Sequence, residues 1–302
     1  RLALDVPALA DLAPLLLAEA RGSLSADISL SAIGALQDAS LSARVEALSA
    51  EGLSIGFADV DLAVSDATGV PRFDGAVAAR DVRAGSFRAR SADLVATRSG
   101  EGTRFDVAAD LARARLEAAG TLAPLGDGGF EAGLERLRLA DDALALALER
   151  PATVSLDAGT WRIADLALGA DGGRLALAGT VGDTIDLSGR LESFPLAVAD
   201  LVVPELGARG TLSGTLEASG SAGAPRGTFR LSGSGIATAD LAAAGLPPID
   251  ADLAGRLADD VVTLERATVA VGSGSVAASG TIGRRLDLAV RVERLPVALA
   301  NA

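Results

Sequence analysis

Few residues in this chain are of types that do chemistry, and their spacing removes most of those. Two acidic pairs, Asp141-Asp142 and Asp259-Asp260, offer carboxylates for acid-base work of the glycosidase kind. Adjacent residues of a strand point to opposite faces, so neither pair makes a couple, and Asp there reads as turn chemistry. The glycine-rich piece 272–274 lacks the following helix and the Lys of a phosphate loop. Asp171-Gly172-Gly173 lacks the nonapeptide spacing of a calcium-binding repeat and reads as a hairpin turn. Arg113, Arg115, Arg136 and Arg138 form a local basic cluster that reads as a solvated strand face. The chain has no His and no Cys, which removes the usual general base, the usual zinc ligand, Ser-His-Asp and Cys-His arrangements and any disulfide. No catalytic residue, metal ligand or cofactor is assigned, and the chain reads as a non-enzyme.

The elements that would position such groups are strands. Residues 209–232 (RGTLSGTLEASGSAGAPRGTFRLS) contain one complete unit: from Thr211 they alternate strictly, with Leu212, Gly214, Leu216 and Ala218 on one face and Ser213, Thr215, Glu217 and Ser219 on the other. Residues 219–226 punctuate, and the alternation restarts with Phe229 and Leu231 inward, which predicts a hairpin. Similar runs (Leu53, Ile55, Phe57; Val60, Leu62, Val64; Phe105, Val107, Ala109; Leu144, Leu146, Leu148) continue along the chain and predict about 20 strands. Helical spacing is confined to 7–19 and, more weakly, 195–206. Each opens on a Pro and precedes an Arg-Gly that restarts a strand.

The pattern repeats. Residues 21–45 align with the 209–232 hairpin at constant offset, placing Leu24, Ile28 and Leu41 against Leu212, Leu216 and Phe229, and Gln37 against Pro225. A second module recurs as RLEAAGTL at 115–122, RLALAGTV at 174–181 and SVAASGTI at 275–282, and the last two carry matching tails, 185–201 and 286–302. The chain reads as a fragment that starts and stops within a repeating series. Its expected divisions are 1–20 (the end of one repeat with a short helical connector), 21–208 (repeat units with a connector at about 195–208) and 209–302 (a further unit).

Composition bounds the function. The formal charge is −13, which disfavours nucleic acid and anionic membrane surfaces as partners. The most apolar run, 12–18, is short and interrupted by Pro14, so no spanning helix is expected. Aromatics are 3 % while 49 % of the chain is hydrophobic, so the apolar mass is Ala, Leu and Val, suited to a thin β layer. A sheet with one apolar face must bury it against something, and no long helices are available. The sheet therefore closes on itself, or curls into an open trough whose wall a guest completes. The trough is expected: an elongated, coiled, mainly antiparallel all-β repeat sheet with an apolar interior and short helical segments between units. Its wall would be lined by Leu24, Ile28, Leu41, Val45, Phe105, Leu146, Leu175, Leu212, Leu216, Phe229, Leu231 and Ile282, which share one phase within repeated strands. The rival reading is an extracellular structural or adhesive β-solenoid, with parallel rungs, a dry core and no lipid; a β-sandwich enzyme or lectin is weaker, for want of His and of aromatic sugar platforms.

The segments 154–182 (VSLDAGTWRIADLALGADGGRLALAGTVG) and 210–241 (GTLSGTLEASGSAGAPRGTFRLSGSGIATADL), and the link 195–214 (PLAVADLVVPELGARGTLSG), resemble the repeats of the TamB branch of the AsmA-like family of bacterial envelope proteins. The resemblance rests on repeat texture over most of the chain. It implies a periplasmic segment of an inner-membrane-anchored protein, a β-trough that conducts phospholipid acyl chains between inner and outer membrane. It also implies, for the parent protein, assistance in outer-membrane protein assembly with an outer-membrane barrel partner of the BamA/TamA type, and membrane contact only through parts outside these residues.

Overall fold

The computed structural model describes residues 1–12, 20–33, 36–67, 71–85, 87–100, 102–125, 128–203, 206–258 and 260–294. They form two compact units, residues 1–142 and 143–302, and the described residues are overwhelmingly β.

The first unit is a sheet of nine strands: β1 (Leu2–Val6), β2 (Arg21–Ile33), β3 (Leu36–Ala50), β4 (Leu53–Ser65), β5 (Arg72–Ala84), β6 (Phe87–Ser99), β7 (Gly102–Leu111), β8 (Arg115–Pro124) and β9 (Phe130–Ala140). Each strand pairs antiparallel with the next. The second unit holds β10 (Ala145–Leu148), β11 (Ala152–Asp157), β12 (Thr160–Ala170), β13 (Gly173–Val181), β14 (Thr184–Pro195), β15 (Arg209–Ser221), β16 (Ala224–Ala237), β17 (Ile249–Ala258), β18 (Val261–Val271), β19 (Gly274–Ile282) and β20 (Leu286–Glu293). There β10 and β11 both pair with β12, and from β12 onward the order again follows the chain, antiparallel throughout.

The repeats hold down to the register. In the β15–β16 hairpin Leu212, Leu216 and Gly220 stand opposite Gly233, Phe229 and Pro225; in β2–β3 the aligned Leu24, Ile28 and Ala32 stand opposite Val45, Leu41 and Gln37. The β12–β13–β14 and β18–β19–β20 triplets also match. Both have an irregularity in the first strand, between Ile163 and Leu166 and between Leu264 and Ala267, facing Gly179 and Gly280. These glycines have φ of 137° and 138°. A Cβ on either would run into the carbonyl of the neighbouring strand, that of Asp186 or Asp287, so the module's central G is required by a close backbone approach.

Several sequence expectations need correction. The 219–226 punctuation is mostly strand: β15 runs to Ser221 and β16 restarts at Ala224, because alternating Ser, Gly and Ala extend a hairpin as well as they end one. Of the 7–19 helix only a 3₁₀ turn at Leu9–Leu12 is seen, and 13–19 lies outside the described residues. The 195–206 helix contracts to α1, Val198–Val202. A further helix, α2 (Ala239–Ala243), went unpredicted, although Thr238 caps it by accepting from the Leu241 N–H and Gly245 and Pro247 follow it. Neither helix is long enough to cross a membrane. Phe57 stands in register with Glu46 and Arg80 on the charged face, under the Arg44 guanidinium at 5.7 Å. Leu53 and Ile55 of the same run instead stand opposite Ala50 and Leu48, which pack with Leu24 against Val6, Leu9 and Ala20, and the backbone between Glu46 and Leu48 passes through positive φ at Ala47.

Candidate functional site: the apolar sheet faces

Residues directly opposite across an antiparallel pair share a face, so the registers trace rows across each sheet. In the first unit one row reads Leu2, Ile28, Leu41, Leu62, Gly75, Ala96, Phe105, Gly120 and Leu134. The next reads Leu4, Ala26, Ala43, Val60, Val77, Leu94, Val107, Ala118 and Leu137, and a third begins Val6, Leu24, Val45, Ala58 and Ala79. Every member is apolar. Leu24, Ile28, Leu41, Val45 and Phe105, the wall residues expected here, therefore lie on one face.

The second unit repeats this. One row reads Leu166, Leu177, Gly189, Leu216, Phe229, Gly255, Leu264, Gly280 and Leu288; its neighbour runs from Leu148 through Leu168, Leu175, Leu191, Gly214 and Leu231 to Leu253. Leu212 lies in a row with Phe194 and Gly233, Ile282 in one with Leu257 and Val262, and Leu146 beside Ala170. The seven expected wall residues of this unit thus also share a face. Trp161, opposite Leu156 and Val181, joins it near the strand ends. It was not singled out from sequence, although its phase with Ile163 and Leu166 becomes visible once the irregularity between them is allowed for.

The other face is charged and solvated. Arg44 pairs with the directly opposite Asp59 at 2.7 Å, Arg104 reaches Glu135 at 2.7 Å, Arg174 reaches Glu149 at 2.7 Å and Arg80 reaches Asp93 at 3.2 Å. Hydrogen bonding to their carboxylates raises the pKa of Arg44, Arg104 and Arg174. The Asp110 carboxyl is held below its usual range by the hydrogen bond from Arg115, with burial opposing and the charges of Arg115 and Arg90 adding. Arg113 and Arg138, of the basic cluster, line a shallow groove with Asp110, Glu117 and Asp142, a mixed-charge surface rather than an anion site.

What decides the character of the apolar faces is how little covers them. Among the described residues no large side chain is fully buried, and the buried apolar residues are mostly alanines. None of the twelve expected wall residues is buried, and Leu216 and Ile282 are 42 % and 40 % exposed. The chain exposes 18034 Å². A compact globule of its mass would expose about 11,700 Å², and even two separate globules of half that mass about 14,000 Å². The shortage of aromatics is the cause: strands this rich in Ala and Gly cannot fill a layer from one side.

Comparison with protein-family models, with curated proteins and with solved structures finds no match to the chain.

Proposed function

We propose that the apolar sheet faces form a wall for acyl chains, and that the chain is a segment of a periplasm-spanning hydrophobic conduit for phospholipid between inner and outer membrane. One observation carries this reading: each unit sets an apolar face built in parallel rows against a charged one, and none of the twelve wall residues is buried, although at one end Leu24 packs against the small cluster of Val6, Leu9 and Ala20. Apolar rows left partly exposed along a whole sheet face call for a partner. An acyl chain of about 16 carbons costs on the order of 12 kcal/mol to place in water, and a wall of repeated Leu, Ala and Gly rows removes much of that cost. Similar successive rows offer no deep trap, so a lipid can slide with its headgroup in water. Curling of each sheet into a trough is part of the proposal; the glycines with positive φ inside strands and the recurrent register irregularities supply the means.

The resemblance of 154–182 and 210–241 to TamB repeats supports the same reading. By that resemblance the parent protein is anchored in the inner membrane, works with an outer-membrane barrel and assists outer-membrane protein assembly. The antiparallel pairing throughout both units weighs against a solenoid of parallel rungs.

The test is direct. Chain purified from a diderm bacterium and extracted for mass spectrometry is expected to carry phospholipid, and a variant with Leu216→Asp, Phe229→Asp and Leu231→Asp to lose it while keeping its strand circular dichroism. Absence of lipid from the wild type, or equal lipid on the folded variant, contradicts the proposal.

A further inference from the structure

We propose that Arg83 and Arg88 form a phosphate site at the rim of the first unit's apolar face, where they take the headgroup phosphate of a phospholipid whose acyl chains lie against that face. This site rests on the acyl wall proposed above and adds to it a place where the headgroup is held.

Arg83 stands directly opposite Arg88 across the β5–β6 pair, and both are exposed. Among the described residues this is the one place in the registers of either unit where like charges face each other directly. Such a pair is destabilising. Its row continues through Ser54 to Ser49 with no acid in it. Elsewhere on this face Arg44, Arg80, Arg104, Arg115 and Arg136 each reach a carboxylate. Arg83 and Arg88 reach none among the described residues, and Asp81, the nearest acid along β5, pairs with neither. In a chain of net charge −13, two unmatched cations held side by side mark a place for an anion from outside.

Directly opposite residues hold their Cβ atoms about 5 Å apart, so two guanidinium forks can grip one phosphate between them. The apolar row beside them identifies what carries that phosphate. One pair further on, where β5 ends and β6 begins, Ala84 stands opposite Phe87, in a row that continues through Leu53 to Ala50. Ala50 packs against the cluster of Val6, Leu9 and Ala20, whereas Leu53 and Phe87 are 36 % and 41 % exposed. The arginines thus sit at the strand ends, one residue away from an uncovered stretch of the opposite, apolar face. Long Arg stems lie along apolar surface while their heads stay in water, so a headgroup at this lip meets the guanidinium groups as its acyl chains run onto Leu53 and Phe87. A free phosphate would use the arginines and leave the apolar row bare.

Equilibrium dialysis of the full chain against dioctanoyl phosphatidylglycerol, with dioctanoylglycerol as the headgroup-free probe, tests the site. One phospholipid per chain is expected to bind roughly ten-fold more tightly than the diacylglycerol, the worth of hydrogen bonds to a charged group and a shallow enough station for a sliding lipid to leave. Arg88→Glu sets opposite charges across the pair, so that chain should unfold no more easily than wild type, lose the ten-fold preference and bind diacylglycerol unchanged. Arg83→Gln together with Arg88→Gln should show the same split. A folded Arg88→Glu chain that keeps the preference, or a wild type that shows none, would overturn the site and leave the wall standing. Wild type that binds neither lipid would overturn both, and inorganic phosphate bound as tightly as the phospholipid would overturn the lipid assignment.

Discussion

Phe229 stands directly opposite Gly255 across the β16–β17 pair, and a Cβ added to Gly255 would lie 2.7 Å from Cζ of its ring. Phe105 and Gly120 repeat the arrangement in the first unit, at 3.0 Å. In both an aromatic ring covers the bare backbone of a strand glycine, replacing the side-chain layer that the glycine cannot provide.

Gly255→Ala should therefore destabilise by about 1–3 kcal/mol, the usual cost of overpacking, since its Cβ would also sit 2.6 Å from the Thr263 carbonyl. Gly223→Ala, in the β15–β16 turn with nothing within 4 Å of its Cβ, is expected to be neutral. Urea midpoints for the pair measure the difference.

If the wall is open rather than core, truncating it is cheap. Leu216→Ala should cost under about 1.5 kcal/mol, against roughly 2–5 for a buried Leu. The same substitution should weaken lipid retention, a combination that ordinary core would not give.

Thr103 is a buried polar residue of the first unit, 4 % exposed, and its hydroxyl accepts from the Phe73 N–H at 2.9 Å. Thr103→Val keeps the volume and strands that donor, so a loss of about 1–3 kcal/mol is expected. Thr103→Ser should retain most of the stability, as thermal unfolding would show.

These contacts also mark how far the sequence could be read. The strand phase and hairpin equivalence were legible because period-2 alternation and exact spacing survive in 21–45 and 209–232, and the paired Leu216 and Phe229 follow from them. The face of Phe57 was not legible, because three residues of alternation do not fix a phase and only pairing with Glu46 and Arg80 across β3 and β5 decides it. The second helix was hidden because five residues carry too little periodicity, leaving only its punctuation, the cap at Thr238 and the Gly245 and Pro247 beyond it, as signal. How little the apolar face is covered lies in packing between distant strands, which composition indicates but alternation does not encode.

Acid should be the only pH challenge in the working range. With no His, nothing with an ordinary pKa titrates between about pH 5 and 8 among the side chains. Asp110, whose carboxyl is depressed by Arg115, contributes stability that is present above its unfolded pKa of about 3.9 and lost as pH falls through its lower folded value. Thermal midpoints are expected to be flat from pH 8 to 5 and to fall below about pH 4. Asp110→Asn should shrink the acid-side fall.

The central claim is that acyl chains lie against the apolar faces, and the single tryptophan measures it. Trp161 is 43 % exposed on that face. Vesicles whose phospholipids carry bromine on the acyl chains should quench its fluorescence, and acyl loading should shield it from acrylamide. Unchanged emission with brominated lipid, together with undiminished acrylamide quenching, would contradict the account.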